Sequence, residues 1–486
     1  MLFNSLEFAI FFAVVMTGYA LLRAPRRQNV LLLAASYIFY GWWDWRYLGL
    51  IAWVSLLDWF VARHIAGSAS PGVRRTWLCL SLANGLGLLT WFKYQGFFLA
   101  NIQSLADALG IAASVPVLSV VLPVGISFFT FQSASYVVDV YRGETAVCRR
   151  PSDYLLFVSF FPQLVAGPIE RSGNLLGQIL AERRITAESF QLGAAQFASG
   201  WLKKVAIADH LGRYVEEVYG NSGAHGGWTF WVATAAFAAQ IYCDFSAYSD
   251  MAVGMARAMG FRLMENFAAP YLATNIQEFW RRWHISLSTW FRDYLYRPLG
   301  GGRAGLALQL RNVLIVFVVS GIWHGANWTF ALWGLAHGLL LCGYLVWRRV
   351  RPALWDSWTA AAFLSWAVTM VAVLLTWVLF RASDFGAARV IHRCYVGAVR
   401  VAASRPAIVH GTPWYLTSRR HRMAKRASIF YRLVHPPFSF HPLVPIAPPR
   451  RHRAGLPFQA RCRLYLLPVL NSPPGPPLPR LRSRSR

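Results

Sequence analysis

Apolar residues fall along this chain in long unbroken runs, not in the period-two alternation of a half-buried strand. The runs lie near residues 2–22, 30–60, 76–100, 115–140, 152–168, 190–210, 228–256, 312–347 and 357–381. Each approaches the roughly 20 residues that a helix needs to cross ~30 Å of hydrocarbon, and two are long enough to be helical pairs. The pattern predicts an all-α polytopic membrane protein with about nine to eleven membrane passes or re-entrant pieces. The first run follows "MLFNSLEF", which has neither a basic flank nor a small-residue cleavage site, so it reads as a retained helix.

The polar residues between the runs orient them. Basic clusters at "RAPRRQ" (23–28) and "RHIAGSASPGVRR" (63–75) both belong on the cytoplasmic side under the positive-inside rule. Residues 28–62 then form a hairpin, with "GWWDWRY" (41–47) at its far turn, because Trp and Tyr favour the interface and Asp44 and Arg46 are costly any deeper. The same counting puts Met1 outside. Two stretches, 141–190 and 257–311, are richer in charge, Gly and Pro, and read as amphipathic or re-entrant. Irregular backbone survives at membrane depth only inside protein or beside a water-filled cavity, so these stretches predict a central tunnel.

Composition agrees: 56% of residues are hydrophobic, 15% aromatic and only 14% charged, which suits lipid better than water. The six cysteines show no CxxC pair and suggest neither a disulfide framework nor a zinc site. The net charge of +28 invites a nucleic-acid reading, but residues 391–486 hold 18 of the 48 Lys and Arg and none of the 20 acids. What remains is ordinary for a membrane protein, and no nucleic-acid partner is expected. The chain therefore divides into 1–390 and a Pro- and Arg-rich segment, 391–486. That segment reads either as a disordered basic tail near anionic headgroups or, preferably, as the product of a reading frame lost near residue 390. Translating the other frames downstream tests this: if none resumes an apolar helix, the frame-loss idea fails.

Ionisable side chains at membrane depth are default candidates for function. No Asp, Glu, Lys or Arg occurs between Arg311 and Arg348, yet His324 stands there in "FVVSGIWHGANWTF", about 20 Å along a helix that starts at Arg311. Trp323 and Asn327 flank it and could position reactants. His284 lies in "FWRRWHISLSTW", an aromatic and basic piece suited to an interface. Two imidazoles suit proton transfer near neutral pH; the alternatives are a buried structural His324 bonded to a neighbouring carbonyl and a His284 incidental to an interfacial basic helix. His337 reads as structural. Asp244 and Asp250 are six residues apart and share no helical face; with Tyr248 they either line a cavity or bond helix to helix. Arg297 and Arg303 in "YRPLGGGRAG" could hold the phosphates of a donor. Walker A, dinucleotide, GxSxG and HExxH patterns are absent.

Taken in order, "NVLLLAASYIFYGWWDWRYLGL", "LPVGISFFTFQSASYVVDVYRG", "FPQLVAGPIER", "IYCDFSAYSDMAVGMARAMGF", "NFAAPYLATNIQEFWRRWHISLSTWFRDYLYRPLGG" and "SGIWHGANWTFALWGLAHG" resemble the membrane-bound O-acyltransferase family, in its bacterial alginate O-acetyltransferase branch. The resemblance covers 1–390 almost continuously. It implies about eleven membrane helices around a tunnel joining a cytoplasmic donor side to an outer acceptor side. His324 matches the family's catalytic histidine and His284 its second, tunnel-lining one. It further implies an inner-membrane enzyme with no bound cofactor that takes an acyl group, most simply acetyl, from a thioester such as acetyl-CoA. The implied acceptor is an exported polysaccharide, and the implied partners are a periplasmic acetyltransferase-like protein and membrane lipid. D-alanyl transfer from a carrier protein is the alternative within the family. A transporter with a proton-relay histidine pair is the alternative outside it, and the lack of an internal repeat weighs against that. After "LFRASDFGAA" the chain departs from the family pattern, which continues there with another membrane helix.

Overall fold

A computed structural model describes residues 1–112, 114, 120–303, 305–351 and 359–404, and among them no strand forms. Helix α1 (Leu6–Leu21) starts at Ser5, whose hydroxyl accepts the Phe8 N–H at 3.2 Å. Helices α2 (Pro25–Asp44) and α3 (Leu48–Gly67) meet at a single tight turn, Trp45–Tyr47. Asp44 takes extended backbone there, ending α2, and its carboxylate pairs with Arg46 at 2.6 Å. The break falls inside the aromatic stretch where the sequence predicts one.

Helix α4 (Pro71–Leu89) runs through a π-helical turn, Thr90–Tyr94, into α5 (Gln95–Ala108). Helix α6 (Ile126–Arg142) follows, then α7 (Pro151–Ser159) and the single turns α8 (Phe161–Leu164) and α9 (Gly177–Leu180). Helix α10 (Ala187–Leu202) leads through another π-helical turn, Lys203–Ala208, into α11 (Asp209–Gly220). Helix α12 (Gly227–Ala258) has 32 residues, about 48 Å at 1.5 Å each. Two short helices, α13 (Ile276–Arg282) and α14 (Ile285–Phe291), precede the long α15 (Leu306–His324), α16 (Trp328–Val350), α17 (Thr359–Arg381) and α18 (Phe385–Ser404).

The polarity is inverted relative to a water-soluble bundle. Large apolar residues such as Leu6, Leu21, Val30, Ile38, Phe363 and Val368 face outward, while Gln28, Asn29, Ser36, Ser55, Asp58, Gln132 and Ser133 are buried. In lipid this is the favoured arrangement, since outward apolar groups cost nothing and inward polar groups bond helix to helix. Asp58 on α3 accepts Ser81 Oγ of α4 at 2.6 Å and also Ser133 Oγ of α6, tying three helices at one carboxylate. Asn29 on α2 donates to Asp153 of α7 at 3.0 Å.

Among the described residues four stretches are long and apolar enough to cross a membrane: Pro25–Gly67, Leu306–His324, Trp328–Val350 and Ala360–Arg381. This is fewer than the nine to eleven passes expected, and α12 shows one reason. It has the length, but Asp244, Ser246, Tyr248, Ser249 and Asp250 interrupt its apolar character where it packs against α10 and the Lys203–Ala208 turn. Helices α15 and α16 pack closest at Gly321 and Gly334. A Cβ on Gly321 would lie 2.3 Å from the Phe330 carbonyl oxygen, and one on Gly334 would lie 2.2 Å from that of Phe317. Only glycine permits this approach, one turn before His324.

The division expected at residue 390 falls inside α18. Its Ala388, Ile391 and Tyr395 are buried against α12, and Trp231 stacks on Tyr395 with ring centroids 4.3 Å apart. The helical region therefore extends to residue 404, and the remainder of the basic segment lies outside the described residues.

Candidate active site

His324 is the last residue of α15, half-buried, with aromatic rings on three sides. Trp323 (4.9 Å between centroids), Trp333 (5.1 Å) and Phe380 (5.4 Å) all meet it edge to face. None of these rings offers its imidazole an acceptor, and no hydrogen bond engages its nitrogens among the described residues. A histidine held by packing on its faces, with both nitrogens unspent, has proton-transfer chemistry available.

His284 reaches the same place from another element. The extended segment before α13 pairs with the α13–α14 junction, Ala268 N–H to Arg282 O at 3.0 Å and Ile285 N–H to Asn266 O at 2.9 Å. His284 sits at that junction in the left-handed region, φ 43° and ψ 56°. For a non-glycine residue this costs of order 1–3 kcal/mol, and such strain gathers at functional sites. Asn266 holds the strained residue in place. Its Oδ1 accepts from the Ser286 N–H at 3.2 Å and Ser286 Oγ at 2.9 Å, and lies 3.1 Å from His284 Nδ1. Its Nδ2 donates to Ser249 of α12 at 3.1 Å. With Oδ1 acting only as acceptor, His284 Nδ1 carries the proton and Nε2 keeps its lone pair.

Trp323 links the two histidines. It is buried, with its centroid 6.4 Å from that of His284 and 4.9 Å from that of His324. Phe131 stacks on Trp323 at 5.3 Å and Trp290 on Phe131 at 4.0 Å, so an aromatic wall runs from α14 to the end of α15. His337 differs. Buried on α16, it accepts from Trp280 Nε1 at Nδ1 (3.3 Å), and its Nε2 lies 2.9 Å from Thr376 Oγ1. Since Thr376 Oγ1 already donates to Val373 O at 2.8 Å, Nε2 is the protonated nitrogen. Both nitrogens are spent on the fold, as the sequence suggested.

The other expected site residues separate. Asn327 is the N-cap of α16: its Oδ1 accepts the Thr329 N–H at 3.0 Å and its Nδ2 donates to Ser383 O at 3.0 Å. It orients the helix after His324. Asp250 pairs with Lys203, and Lys203 Nζ also donates to Ser246 at 3.1 Å. Tyr248 lies under the Lys204 ammonium at 5.4 Å, and Lys204 pairs with Asp209 and Asp244 at 2.7 Å each. Asp250 and Tyr248 thus face the Lys203–Ala208 turn, whereas Phe245 and Ser249 face His284 and Asn266. Among the described residues neither meets the two histidines through a ring contact or a hydrogen bond, and their pairing holds α12 to the turn after α10.

Arg297 and Arg303 line one open depression of about 560 Å³ with Arg292, Tyr296 and Gly300–Gly302, and Arg297 also pairs with Asp293 at 3.0 Å. A groove of about 650 Å³ between α13–α14 and α15–α16 shares Arg292 and Tyr296 with it. Exposed Arg281 and Arg292 stand on this groove, Trp280 and Phe317 form its wall, and its lining includes buried Ser320, one helical turn before His324. Sequence reading missed Asn266 and Lys93. Lys93 Nζ donates to the Trp323 carbonyl and lies 5.3 Å from the Trp323 ring. A lysine in an apolar stretch, "LLTWFKYQGFF", was the available signal.

A helical protein with lipid-facing apolar residues, a polar interior and two histidines around one tryptophan defines a class of membrane-embedded transferase. The sequence profile described as MBOAT, membrane-bound O-acyltransferase family, matches residues 149–381, a span holding both histidines. The chain is 40% identical over 388 residues to the probable alginate O-acetylase AlgI of Pseudomonas putida, covering 79% of this chain and 78% of that protein. It is 34% identical over 428 residues to the peptidoglycan O-acetyltransferase of Helicobacter pylori, covering 82% and 80%. Further off, it is 27% identical over 238 residues to the teichoic acid D-alanyltransferase of Bacillus subtilis, covering 45% and 58%. The chain belongs to the membrane-bound O-acyltransferase family: it is an O-acyltransferase and a multi-pass membrane protein.

Proposed function

We propose that this protein moves an acetyl group from a cytoplasmic thioester, acetyl-CoA or a carrier-bound equivalent, to hydroxyls of an exported polysaccharide. The observation that carries the reading is the pair of histidines either side of Trp323, with the His324 nitrogens unengaged at a helix end. In this mechanism the acceptor oxygen attacks the thioester carbonyl while His324 takes the hydroxyl proton. The C–S bond breaks, the departing thiolate recovers that proton from the imidazolium, and an ester and a free thiol result. His284, fixed by Asn266 with Nε2 as acceptor, assists proton movement, and Trp323 positions the reactants.

The 650 Å³ groove suits the donor's arm. Its arginines meet the negatively charged end, its apolar wall covers the chain, and the glycine-rich depression with Arg297 and Arg303 takes the phosphates. Such a route, continued to the outer face, is the tunnel, enclosed by nine to eleven crossings of the bacterial inner membrane. Acetyl is favoured over D-alanyl because identity to the O-acetyl-transferring relatives is higher and spans far more of the chain. A periplasmic acetyltransferase-like protein is the partner that would carry or direct the acetyl group beyond the membrane. Mass spectrometry of surface glycans tests the proposal. A deletion strain should lose ester-linked acetyl groups, the native gene should restore them and His324→Ala should not; unchanged esters in the deletion strain would overturn it.

A further inference from the structure

Helix α15 ends on His324, so the last carbonyls of the helix point at the site and place partial negative charge beside the imidazole. Left uncompensated, that end of a helix favours an imidazolium, and an imidazolium cannot act as a base. The π-helical turn Thr90–Tyr94 covers these carbonyls. Tyr94 OH donates to Ile322 O at 3.1 Å, and Lys93 Nζ donates to Trp323 O and lies 3.5 Å from Ser127 Oγ. Just beyond, Phe97 meets Trp328 at 5.4 Å, and Asn101 accepts from Trp328 Nε1 at 2.8 Å. An element more than 200 residues away in sequence thus grips both sides of the His324 turn, and π-helical turns of this kind recur at functional sites.

We propose that Lys93 is a positioning residue for acyl transfer, whose ammonium fixes the carbonyl end of α15 and offsets its negative charge, holding His324 as a neutral, oriented base. The inference rests on the proposed role of His324. The groups that face His324 agree with it. Trp333 of α16 stands before it with His337 behind, Phe380 comes from α17, Trp323 separates it from His284, and Lys93 comes from the α4–α5 turn. No carboxylate pairs with the imidazole among the described residues, so Lys93 is the charge set against the helix end. A lysine placed there merely to fill space would bury an ammonium at several kcal/mol for no return.

The test uses the full chain in liposomes and follows thiol release from acetyl-CoA, with alginate oligosaccharide as acceptor, across pH 5 to 9. Lys93→Gln keeps a donor and removes the charge. Its kcat at pH 6 should fall about tenfold, with KM for acetyl-CoA within about twofold, and the acidic limb of the rate profile should move up by about one pH unit. At pH 9 its kcat should return to within about threefold of native, because His324 is neutral there in either protein. Lys93→Arg, which keeps the charge, should hold the native limb. Tyr94→Phe removes the neighbouring hydrogen bond without changing charge, and should leave the limb in place. An unmoved limb in Lys93→Gln, or an equal movement in Tyr94→Phe, overturns the proposal; if the Gln variant does not accumulate, Lys93→Met is read in the same way. Failure of the native protein to release thiol at any pH sinks the transferase reading itself, whereas an unmoved limb sinks only the role of Lys93.

Discussion

His324 and His337 lie against the same indole, 5.1 Å and 4.9 Å from the Trp333 centroid, yet they are in opposite chemical states. His337 has both nitrogens bonded, to Trp280 and Thr376, and works as a three-helix joint between α13, α16 and α17. His324 has aromatic edges on its flanks and, among the described residues, no hydrogen bond on its nitrogens. The deeper burial of His337 does not by itself assign their roles, and neither does the apolar sequence around each. The unspent hydrogen-bonding capacity does: a satisfied imidazole holds structure, and an unsatisfied one at a helix end is free to move protons.

The sharpest way to break this contrast is to remove each imidazole and read activity and stability separately. His324→Ala should cost at least about a hundredfold in kcat, the range of a lost general base, with little change in the unfolding midpoint. His284→Ala should come next, with about a tenfold to hundredfold loss of kcat, since its Nε2 assists but does not receive the first proton. Because His284 is strained as well as buried, its replacement by Gly should lose activity and destabilise less than His284→Ala, the relaxed backbone offsetting part of the cavity left by the ring, and an equal or larger stability loss in the Gly variant would count against the strain argument. His337→Leu should show the converse. It strands Trp280 Nε1 and Thr376 and should cost about 1–3 kcal/mol in thermal or denaturant unfolding, with kcat per folded molecule within about threefold. A large catalytic defect in His337→Leu, matched by none in His324→Ala, would reverse the assignment.

These two histidines also show how far the sequence could be read. The charge-free run around His324 and the basic, aromatic run around His284 were visible because membrane depth makes every ionisable group conspicuous. The helical class, the break near Trp45 and the structural standing of His337 follow from the same reasoning. What the sequence could not show are contacts made across distance. Asn266 orients His284 from 18 residues away, and Lys93 reaches Trp323 from 230. The left-handed backbone of His284 has no local signature, since histidine adopts it only where the surrounding pairing demands it. The capping role of Asn327 on α16 is likewise settled by backbone geometry that the Asn-Trp pair in sequence does not reveal. Length and hydropathy pick out four apolar stretches among the described residues and leave the count of nine to eleven crossings open, because helices that face other helices need not be uniformly apolar.

Asp250 sharpens the contrast from the weakest side. Polar residues within "IYCDFSAYSDM" read equally as cavity lining or as helix-helix bonding, and the structure pairs Asp250 with Lys203, whose ammonium also donates to Ser246. If that pairing only joins α12 to the turn after α10, breaking it should alter stability and spare catalysis. Asp250→Asn leaves Lys203 without its counter-charge and should cost about 1–2 kcal/mol, most of it recovered in the double variant Lys203→Met with Asp250→Asn. The recovery follows because one half-buried charge left unpaired costs more than losing the pair. Both variants should keep kcat and KM for acetyl-CoA within about twofold of native. A selective rise in KM for the acceptor in Asp250→Asn, not repaired in the double variant, would return Asp250 to the substrate path and show that α12 serves the site on both of its faces.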